Sequence, residues 1–249
     1  MNKVIIGIIP ARFGSTRFPG KPLIDIRGKT MIQRVYEQAR KCEDLADVIV
    51  ATDDERIEKA VSDFGGKVCL TSIHHPSGTD RCAEVVEKLR LNCDSVVNIQ
   101  GDEPFIEPEQ ISLLCSCFAD ERTQIATLVR RITSPQTLFD PNAPKVLIND
   151  DGFALYFSRQ TIPYLRGIEE KNWINNHSFY QHIGIYGYRV GVLKKITKLK
   201  PSALEKAESL EQLRWIEHGY QIKTAITSIR SIAIDTPDDL KRILESIPR

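Results

Sequence analysis

The sequence lacks several features that would place a chain in a class of protein at once. It has no run of about 20 apolar residues of the kind that spans a membrane. Residues 1–10 hold one lysine and a short apolar stretch, a pattern that does not fit a signal peptide. An excess of charge of one sign is also missing: the formal net charge is +1, so no broad basic surface for nucleic acid is expected. We therefore expect a soluble, cytoplasmic protein with neither membrane insertion nor a nucleic-acid partner.

The cysteine pattern argues against a metal or redox site. Six cysteines are scattered through the chain, and none forms a Cys-x-x-Cys pair. Cys115 and Cys117 fall in a helical pattern, where residues two apart point to different sides and make a poor metal clamp. The adjacent His74 and His75 precede Pro76, which is typical of a loop surface. The pattern predicts buried, reduced thiols.

Two familiar glycine motifs for phosphate groups are absent as well. A P-loop has four residues between its glycines and a Ser or Thr after its Lys. Here five residues separate Gly14 from Gly20, and Pro22 follows Lys21. No Gly-x-Gly-x-x-Gly spacing follows the first apolar run either. These absences argue against a P-loop protein and against a nicotinamide-dependent dehydrogenase.

What is present is a basic loop over residues 10–23, PARFGSTRFPGKPL. It follows an apolar run at residues 4–9, which predicts a strand buried on both faces that ends at Pro10, because proline has no backbone donor. Ligands of open α/β sheets bind beyond the carboxyl ends of the strands, and Gly14 and Gly20 let backbone N–H groups approach an anion. The side chains able to bind its oxygens are those of Arg12, Ser15, Thr16, Arg17 and Lys21. We interpret the loop as a triphosphate cradle; the alternative, a solvated basic surface loop, fits the buried strand less well.

Apolar runs and helical patterns alternate over the first half of the chain. Strands are predicted at residues 48–51, 68–70, 96–99 and 125–129, and helices at residues 31–39, 57–64, 80–89 and 108–119. Such repetition predicts a three-layer α/β fold with a mostly parallel sheet and right-handed crossovers. One domain over residues 1–249 can hold this arrangement.

The pattern changes after Pro135. The turn sequence NDDG lies between apolar segments at residues 145–148 and 153–157, which predicts a hairpin, and residues 182–190 predict a further strand. We expect residues 140–190 to form a small antiparallel appendage whose exposed apolar residues make a dimer surface. The elements predicted to complete the chain are a helix from Ser202 to Gly219, strands at residues 222–226 and 232–234, and a helix capped by Thr236.

Acidic residues follow two of the predicted strands. Asp102 lies after the strand at residues 96–99, and Asp235 lies after the strand at residues 232–234. Carboxylates at one sheet edge can converge on a hard cation, and Mg²⁺ favours one or two carboxylates together with phosphate oxygens. Taken singly, Asp102 is equally well explained as part of a turn and Asp235 as a helix cap. Their shared edge favours a joint metal site.

A third loop, HPSGTDR at residues 75–81, opens a helix at the same edge. The N-terminus of a helix presents unpaired N–H donors. Ser77, Gly78 and Arg81 are therefore candidates to bind a base or its sugar. An ordinary capped helix start explains the same residues.

Together, eight segments spaced over nearly the whole chain resemble the 3-deoxy-manno-octulosonate cytidylyltransferase (CMP-Kdo synthetase) family. They are PARFGSTRFPGKPL, SGTDR, NIQGDEP, PNAPKV, ALYFSRQTIP, HIGIYGYR, LEQLRW and IDTPDDL. The resemblance implies a nucleotide-diphospho-sugar transferase fold, usually as a homodimer. It also implies transfer of CMP from CTP to the anomeric hydroxyl of Kdo, with release of pyrophosphate, for lipopolysaccharide assembly.

The resemblance further implies roles for individual residues. Those for the triphosphate are Arg12, Ser15, Thr16, Arg17 and Lys21. Those for cytosine and ribose are Ala11, Ser77, Gly78, Arg81 and Gln100. Those for Mg²⁺ are Asp102 and Asp235, which with Arg12 and Lys21 make up the implied catalytic set. Those for the sugar acid, within the appendage and beyond it, are Arg159, His182, Tyr186, Glu211 and Gln212.

The chain departs from the family pattern at two positions. The family often has Glu where Asp80 stands, and a basic residue where Gln181 precedes His182. The second departure removes a charge near the implied sugar site, so a modified Kdo, such as amino-Kdo, or a sialic-type acid stays open as substrate. A non-catalytic nucleotide-binding regulator is the alternative of another class. The presence of both candidate metal ligands and both candidate catalytic cations argues against it.

Overall fold

The computed structural model describes residues 3–14, 18–230 and 232–246. In chain order its strands and helices are β1 (Ile5–Ala11), β2 (Asp25–Ile26), β3 (Lys29–Thr30), α1 (Met31–Arg40), β4 (Asp47–Thr52), α2 (Glu55–Asp63), β5 (Val68–Leu70), α3 (Gly78–Lys88), β6 (Ser95–Asn98), α4 (Pro108–Ser116), β7 (Ile125–Arg131), α5 (Pro135–Phe139), β8 (Lys145–Ile148), β9 (Ala154–Ser158), α6 (Trp173–Asn176), β10 (Tyr180–Arg189), α7 (Val190–Ile196), α8 (Ala203–Glu208), α9 (Gln212–Glu217), β11 (Ile222–Ile226) and α10 (Pro237–Ser246). They form two compact units: one holds residues up to Ser112 and from Arg230 onward, and the other is Leu113–Ile229. The single domain with an appendage at residues 140–190 stays a prediction.

In its described residues, the first unit is built on four parallel strands in the order β6–β1–β4–β5. The side chains of Ile8, Val48, Val50 and Val97 in these strands are fully buried, as expected where helices cover both faces of a sheet. Helices α2 and α3 each connect one strand of this sheet to the next in the chain, and α1 lies between β1 and β4. The predicted alternation and the mostly parallel α/β class are confirmed.

Strand β1 runs through Pro10 to Ala11, so the prediction that Pro10 ends the strand is wrong. The Val4 and Ile8 carbonyls accept bonds from the β6 side, and the two-residue alternation of a strand turns Pro10 to that side as well. The missing N–H of proline therefore affects only the ladder with β6, which ends at the pair Ile8 and Asn98. The ladder with β4 continues to Ala11.

Beyond β6, the chain packs closely against the end of β1 at Gly101. A Cβ atom at position 101 would lie 2.7 Å from the carbonyl oxygen of Pro10, which is closer than non-bonded atoms approach. Gly78, the first residue of α3, also faces the Pro10 ring, where a Cβ would lie 3.3 Å from Cγ. The two glycines allow two loops to approach the same proline.

Side-chain caps set the helix starts of the first unit. Thr30, Asp54 and Ser77 accept backbone N–H bonds at the starts of α1, α2 and α3. Thr236 accepts the N–H of Asp239 at the start of α10, while the Asp239 carboxylate accepts the N–H of Thr236. The predicted cap at Thr236 is thereby confirmed.

Residues 232–234 do not form the predicted strand. Ile234 is buried beside Ile26, Met31 and Ile243, and its N–H donates to the carbonyl oxygen of Asp102 at 2.9 Å. One backbone bond does not make a ladder, and Ile232 is exposed. Ile234, one of the apolar residues that suggested a strand, instead anchors the segment before α10 and bonds the loop that holds Asp102.

In the described residues of the second unit, β7 lies between β11, which is parallel to it, and β10, which is antiparallel. Strand β8 pairs with β10 and with β9, antiparallel in both cases. The predicted hairpin at the NDDG turn is confirmed, with Gly152 at a φ of 78°. The strand predicted at residues 182–190 is confirmed as β10. Because β10 pairs with β7 along most of its length, it belongs to the main sheet of this unit.

The helix predicted from Ser202 to Gly219 is wrong: α8 and α9 are separate helices. Ser209 takes a left-handed φ of 51° and ends α8, a conformation that the apolar spacing of the segment cannot reveal. The Arg159 side chain donates to the carbonyl oxygens of Glu208 and Ser209 at 2.7 and 3.3 Å. It thereby satisfies acceptors that a continuous helix would have used internally.

No helix in the described part of the chain is long and apolar enough to cross a membrane. All six cysteines are described, and none of them forms a disulfide. The predicted burial is confirmed for five, and Cys93 is partly exposed.

We expect Glu205→Gln to destabilise the protein in a pH-dependent way. Arg214 Nε donates to Glu205 at 2.7 Å, its Nη2 donates as well, and both side chains are 13% exposed. These bonds hold the pKa of Glu205 below its ordinary value of 4.5, so the carboxylate stabilises the fold above that value and loses this effect as the pH falls through the lowered pKa. Urea denaturation at pH 7 should show a loss of about 1–2 kcal/mol.

The exposed pair Lys59 and Asp63 is the matched control, and Asp63→Asn should change the free energy of unfolding by less than about 0.5 kcal/mol. A Glu205→Gln effect of the same size at pH 7 and at a pH well below the lowered pKa would contradict the assignment.

We expect Gly101→Ala to lower the free energy of unfolding by about 1–3 kcal/mol, because the new methyl group would collide with the Pro10 carbonyl. The matched control is Gly191→Ala in α7, where nothing lies within 4 Å of the added carbon. Urea denaturation measures both variants. Equal stability of the two would show that the contact at Pro10 is not tight.

Candidate functional site

A cleft of about 310 Å³ opens at the carboxyl edge of the parallel strands of the first unit. That volume lies within the range of small-molecule sites, from about 300 Å³ upward. The residues that line the cleft are Pro10, Ala11, Arg12, Lys21, Pro22, His75, Pro76, Ser77, Gly78, Arg81, Gln100, Gly101, Asp102 and Asp235. The three loops predicted to share an edge, and the segment before α10, therefore meet there.

The cleft gathers most of the residues predicted for the nucleotide and the metal. Those that line it are Ala11, Arg12, Lys21, Ser77, Gly78, Arg81, Gln100, Asp102 and Asp235. The remaining three, Ser15, Thr16 and Arg17, lie outside the described residues. The roles of all twelve remain predictions, whereas the common location of nine is a feature of the fold.

Lys21 joins the two acidic residues at one end of the cleft. Its Nζ lies 2.7 Å from Oδ2 of Asp102 and 3.2 Å from Oδ1 of Asp235. Asp102 is 81 residues away in the chain and Asp235 is 214, so the contact depends entirely on the fold. The predicted convergence of the two carboxylates is confirmed.

Local backbone geometry holds Lys21 in place. It begins a short 3₁₀ turn after Gly20, which has a left-handed φ of 72° and donates its N–H to the Phe13 carbonyl at 3.0 Å. The Phe13 ring in turn lies under the Arg56 guanidinium, 3.3 Å from ring centroid to Cζ. The described ends of the basic loop are therefore tied to each other and to α2, and Arg12 is exposed at the cleft.

The donor set at Asp102 and Asp235 fits a hard cation that also takes ligands from a substrate. Among the described residues, no group of three or more His, Cys, Asp and Glu side chains could hold a metal ion. Two carboxylates supply oxygen ligands only, and Mg²⁺ is usually bound by one or two carboxylates plus phosphate oxygens. The residues present therefore fit Mg²⁺ bound together with a phosphate ligand.

Arg81 is held by residues that sequence reasoning missed. Its side chain is 5% exposed, its Nη2 donates to Asp53 at 2.8 Å, and its Nη1 donates to the Thr71 hydroxyl. Asp53 directly follows β4, and Thr71 directly follows β5. The rule that strand ends carry functional residues could have found both. The network fixes the guanidinium at the wall of the cleft.

The start of α3 is an ordinary capped helix start that also lines the cleft. The Ser77 hydroxyl donates to the Asp80 carboxylate at 2.6 Å and accepts the Asp80 N–H at 3.3 Å. His75 pairs with Glu84, whose carboxylate also accepts the Ser72 N–H at 2.7 Å. His75 is therefore half-buried at the cleft, unlike the loop surface expected for it.

His182 and Tyr186, both predicted for the sugar acid, lie together on β10 in the second unit, with ring centroids 5.2 Å apart. His182 Nε2 lies 3.1 Å from the Thr127 hydroxyl, and the rings of Phe157 and Tyr186 pack against it. His182 keeps some exposed surface, but the protein atoms packed around its ring desolvate it. This desolvation lowers the pKa of His182 to about 3. The imidazole is therefore neutral near pH 7.

Two buried polar atoms at predicted sugar-acid residues lack a hydrogen-bond partner in the described structure, the Tyr186 hydroxyl oxygen and Gln212 Nε2. Thr127 lies near the Tyr186 hydroxyl, but its own hydroxyl is engaged with the Ile183 and Ile185 carbonyls and with His182. Burial, and the charge of Glu211, raise the pKa of Tyr186 well above its ordinary value. Unsatisfied buried polar groups are rare and need an explanation, such as a ligand.

Arg159 is engaged elsewhere in the second unit. Its guanidinium donates to three carbonyl oxygens, those of Pro141, Glu208 and Ser209. Its backbone N–H donates to the Glu208 carboxylate at 2.9 Å. The structure thus gives Arg159 a structural role at the end of α8, which the sequence did not indicate.

Curated relatives cover nearly the whole chain. A 3-deoxy-manno-octulosonate cytidylyltransferase from Cytophaga hutchinsonii is 58% identical over 243 residues, which is 97% of each chain. One of the same name from Parabacteroides distasonis is also 58% identical over 243 residues, 96% of each chain.

Solved structures agree in fold. The structure of a CMP:2-keto-3-deoxy-manno-octonic acid synthetase complexed with CTP is similar with a TM-score of 0.90, at 42% identity over 98% of both chains. A 4-diphosphocytidyl-2C-methyl-D-erythritol synthase from Anaerococcus prevotii has a TM-score of 0.63 at 12% identity over 99% of both chains. The second likeness concerns the fold alone.

A family model described as Cytidylyltransferase matches residues 6–226. That span includes the basic loop, the start of α3 and Asp102, and it also includes every residue predicted for the sugar acid. The relatives named above match over both units. The chain therefore belongs to the cytidylyltransferase family, and within it to the 3-deoxy-manno-octulosonate cytidylyltransferases.

Proposed function

We propose that this protein transfers CMP from CTP to the anomeric hydroxyl of 3-deoxy-D-manno-octulosonate (Kdo) and releases pyrophosphate. The observation that carries the proposal is the meeting of Lys21, Asp102 and Asp235 in a cleft next to the basic loop. A nucleoside triphosphate with its metal ion has the charge pattern that such a site recognises. The names of the relatives support CTP and Kdo as the substrates.

The cleft divides by chemistry between triphosphate and nucleoside. Arg12 and Lys21 carry the charge for the phosphate groups, and the adjacent residues Ser15, Thr16 and Arg17 are proposed to join them. The residues proposed to hold cytosine and ribose are Ala11, Ser77, Gly78, Arg81 and Gln100. Arg81 carries donors only, so it suits the carbonyl and ring-nitrogen acceptors of cytosine.

Asp102 and Asp235 are proposed to hold Mg²⁺ together with phosphate oxygens. When bound, the ion supplies positive charge at the reacting phosphate and makes a nearby hydroxyl more acidic. Hydrogen bonds hold the backbone of both residues: the Asp102 carbonyl accepts the Ile234 N–H at 2.9 Å, and the Asp235 N–H donates to the Asp239 carboxylate at 3.1 Å. Their backbone positions therefore do not depend on the ligand.

The reaction is an in-line displacement at the α-phosphorus of CTP. The anomeric oxygen forms the new phosphorus–oxygen bond, while the bond from that phosphorus to pyrophosphate breaks. Arg12 and Lys21 bind the oxygens on which negative charge develops, and fixed charges of this kind lower the barrier more than they strengthen ground-state binding. Positioning and electrostatics suffice, and no Ser, Cys or His nucleophile is assigned.

The second unit is proposed to bind the sugar acid through His182, Tyr186, Glu211, Gln212 and Arg159. The unpartnered Tyr186 hydroxyl and Gln212 amide support this, because hydroxyl groups of a sugar can satisfy both. The neutral His182 ring offers one donor and one acceptor. Arg159 has five N–H groups and uses three on carbonyls, so two remain for a carboxylate.

We also infer that the protein acts as a homodimer in the cytoplasm, in lipopolysaccharide biosynthesis. Large apolar side chains on the surface of the second unit support a dimer, among them Leu155, Tyr164 and Ile226. Leu155 and Tyr164 lie within residues 140–190, the proposed dimerisation segment.

We expect pyrophosphate release to require CTP, Kdo and Mg²⁺ together. Asp102→Asn should lower kcat by about 10²-fold or more, because it removes a charged ligand at the reacting phosphate. Asp63→Asn, which removes a carboxylate on the surface of α2, is the matched control and should keep full activity. A coupled phosphate assay measures pyrophosphate release by the unaltered protein and by the two variants.

If the protein binds CTP but releases no pyrophosphate in that assay, a nucleotide-binding regulator is favoured. Pyrophosphate release with another 2-keto sugar acid but not with Kdo would identify that acid as the substrate instead of Kdo.

Asp53 is proposed to act on the nucleotide through Arg81. The carboxylate accepts from Nη2 at 2.8 Å, and both side chains are well buried, at 13% and 5% exposure. Without this charge, the Arg81 side chain loses the partner that fixes its plane. Asp53 is thus a positioning residue for the cytosine site.

We expect Asp53→Asn to raise the KM for CTP by about tenfold or more, with kcat at saturating CTP changed much less. The neighbouring Asp54→Asn is the matched control: Asp54 bonds Arg56 at the surface and caps α2, and Asn caps helices equally well. Steady-state kinetics separates the two constants. A loss confined to kcat would contradict positioning of the nucleotide by Asp53.

A further inference from the structure

The charges around Lys21 carry an inference about the order of binding. The ammonium group lies between the two carboxylates that are proposed to hold the metal ion, at 2.7 and 3.2 Å from one oxygen of each. Its side chain is 13% exposed, and those of Asp102 and Asp235 are 28% and 40% exposed. The contact is therefore screened by water on the side of Asp235 more than at Lys21.

Two carboxylates that face one another repel, and a cation between them removes that repulsion. A divalent ion bound to the same pair would lie within a few ångströms of the ammonium group. Like charges at that distance oppose each other strongly in a partly buried cleft. The contacts of Lys21 and the binding of a metal ion by Asp102 and Asp235 therefore compete.

We propose that Lys21 is a built-in counter-ion that occupies the acidic pair until the triphosphate arrives. This rests on the proposed function, because it takes Asp102 and Asp235 as metal ligands. A triphosphate gives the ammonium group other oxygens to bind, and the movement of Lys21 then ends its contacts with both carboxylates. Metal and nucleotide then each raise the affinity of the protein for the other by the same factor.

The fold confines this exchange to one side chain. The backbone at Lys21 is fixed by the N–H of Leu23, which donates to the Gly20 carbonyl at 2.9 Å, and by the N–H of Ile24, which donates to the Lys21 carbonyl at 3.2 Å. Gly101 packs on Pro10 and so fixes the residue before Asp102. The flexible four-carbon stem of lysine is the part that moves.

The consequence is a defined sequence of events at the site. The free protein binds a divalent ion weakly, since the ion must displace the ammonium group of Lys21 from its two carboxylates. With triphosphate present, the same lysine contributes to nucleotide binding, and the acidic pair becomes available. One residue thus couples the two binding events without a change in the backbone.

The test measures Mn²⁺ binding by the electron paramagnetic resonance signal of the free ion, first without nucleotide. We expect Lys21→Gln to bind Mn²⁺ about tenfold more tightly than the unaltered protein, because the competing charge is gone. Lys59→Gln, which removes an exposed lysine paired with Asp63, should behave as the unaltered protein does. The double variant Lys21→Gln with Asp102→Asn should lose the gain.

The second measurement adds the non-hydrolysable nucleotide α,β-methylene-CTP, with its own Mn²⁺ binding measured in protein-free solution. It should strengthen Mn²⁺ binding to the unaltered protein about tenfold, and do so much less in Lys21→Gln. Thermal melting provides a readout independent of the spin signal: Mn²⁺ alone should raise the Tm of Lys21→Gln more than that of the unaltered protein. The same melting curve verifies that the variant is folded.

Equal Mn²⁺ affinity of the unaltered protein and Lys21→Gln without nucleotide would overturn the proposal. A gain that survives Asp102→Asn would also overturn it, since the ion would then bind elsewhere. Pyrophosphate release by the unaltered protein tests the proposed function separately. It can succeed while the Mn²⁺ pattern fails, or fail while that pattern holds.

Discussion

The ion contacts of Lys21 with Asp102 and Asp235 are the constraint on which the site depends. They join the basic loop after β1, the turn after β6 and the segment before α10. The last of these belongs to the first unit although it comes from the far end of the chain, and its described residues include one helix, α10, of ten residues. Ile234 and Ile243 anchor it in a small apolar cluster with Ile26 and Met31. The packing of that cluster therefore decides whether the second carboxylate reaches the cleft.

The candidate site residues of the two units have different environments. In the first unit the side chains at the cleft pair with one another: Lys21 with two carboxylates, Arg81 with Asp53, and His75 with Glu84. In the second unit, the Tyr186 hydroxyl and Gln212 Nε2 are buried and have no hydrogen-bond partner among the described residues. Pairing protects charges that would be costly to leave unpaired, whereas neutral groups tolerate being unsatisfied at a smaller cost in stability. A ligand of the first unit would therefore exchange existing contacts, whereas a ligand of the second unit would supply missing ones.

Much of the fold can be predicted from the sequence because burial determines where apolar residues stand along each strand and helix. Strands covered on both faces show as continuous apolar runs, which is why β4, β5, β6 and β7 were predictable. The expectation that ligands bind beyond the carboxyl ends of the strands then predicted that Arg12, Asp102 and the start of α3 lie at one edge of the sheet, where they line one cleft. The same reasoning failed where an apolar residue serves another purpose, as at residues 232–234, where Ile234 anchors the segment in an apolar cluster and no strand forms. It failed again at Ser209, whose left-handed backbone divides α8 from α9 and leaves no trace in the apolar spacing. Asp53 and Arg159 were missed in their structural roles, because a pairing across tens of residues depends on how elements pack.

Pro10 illustrates a functional contribution made by an absent atom. Because Pro10 offers no N–H toward β6, the ladder between β1 and β6 ends at Ile8, three residues before β1 ends, and Gly101 and Gly78 pack against Pro10. Pro10, Gly78 and Gly101 all line the cleft. A residue with an amide hydrogen at position 10 would favour one further hydrogen bond between β1 and the chain after β6. A search for reactive side chains would pass over Pro10, although its missing N–H group affects the backbone that lines the cleft.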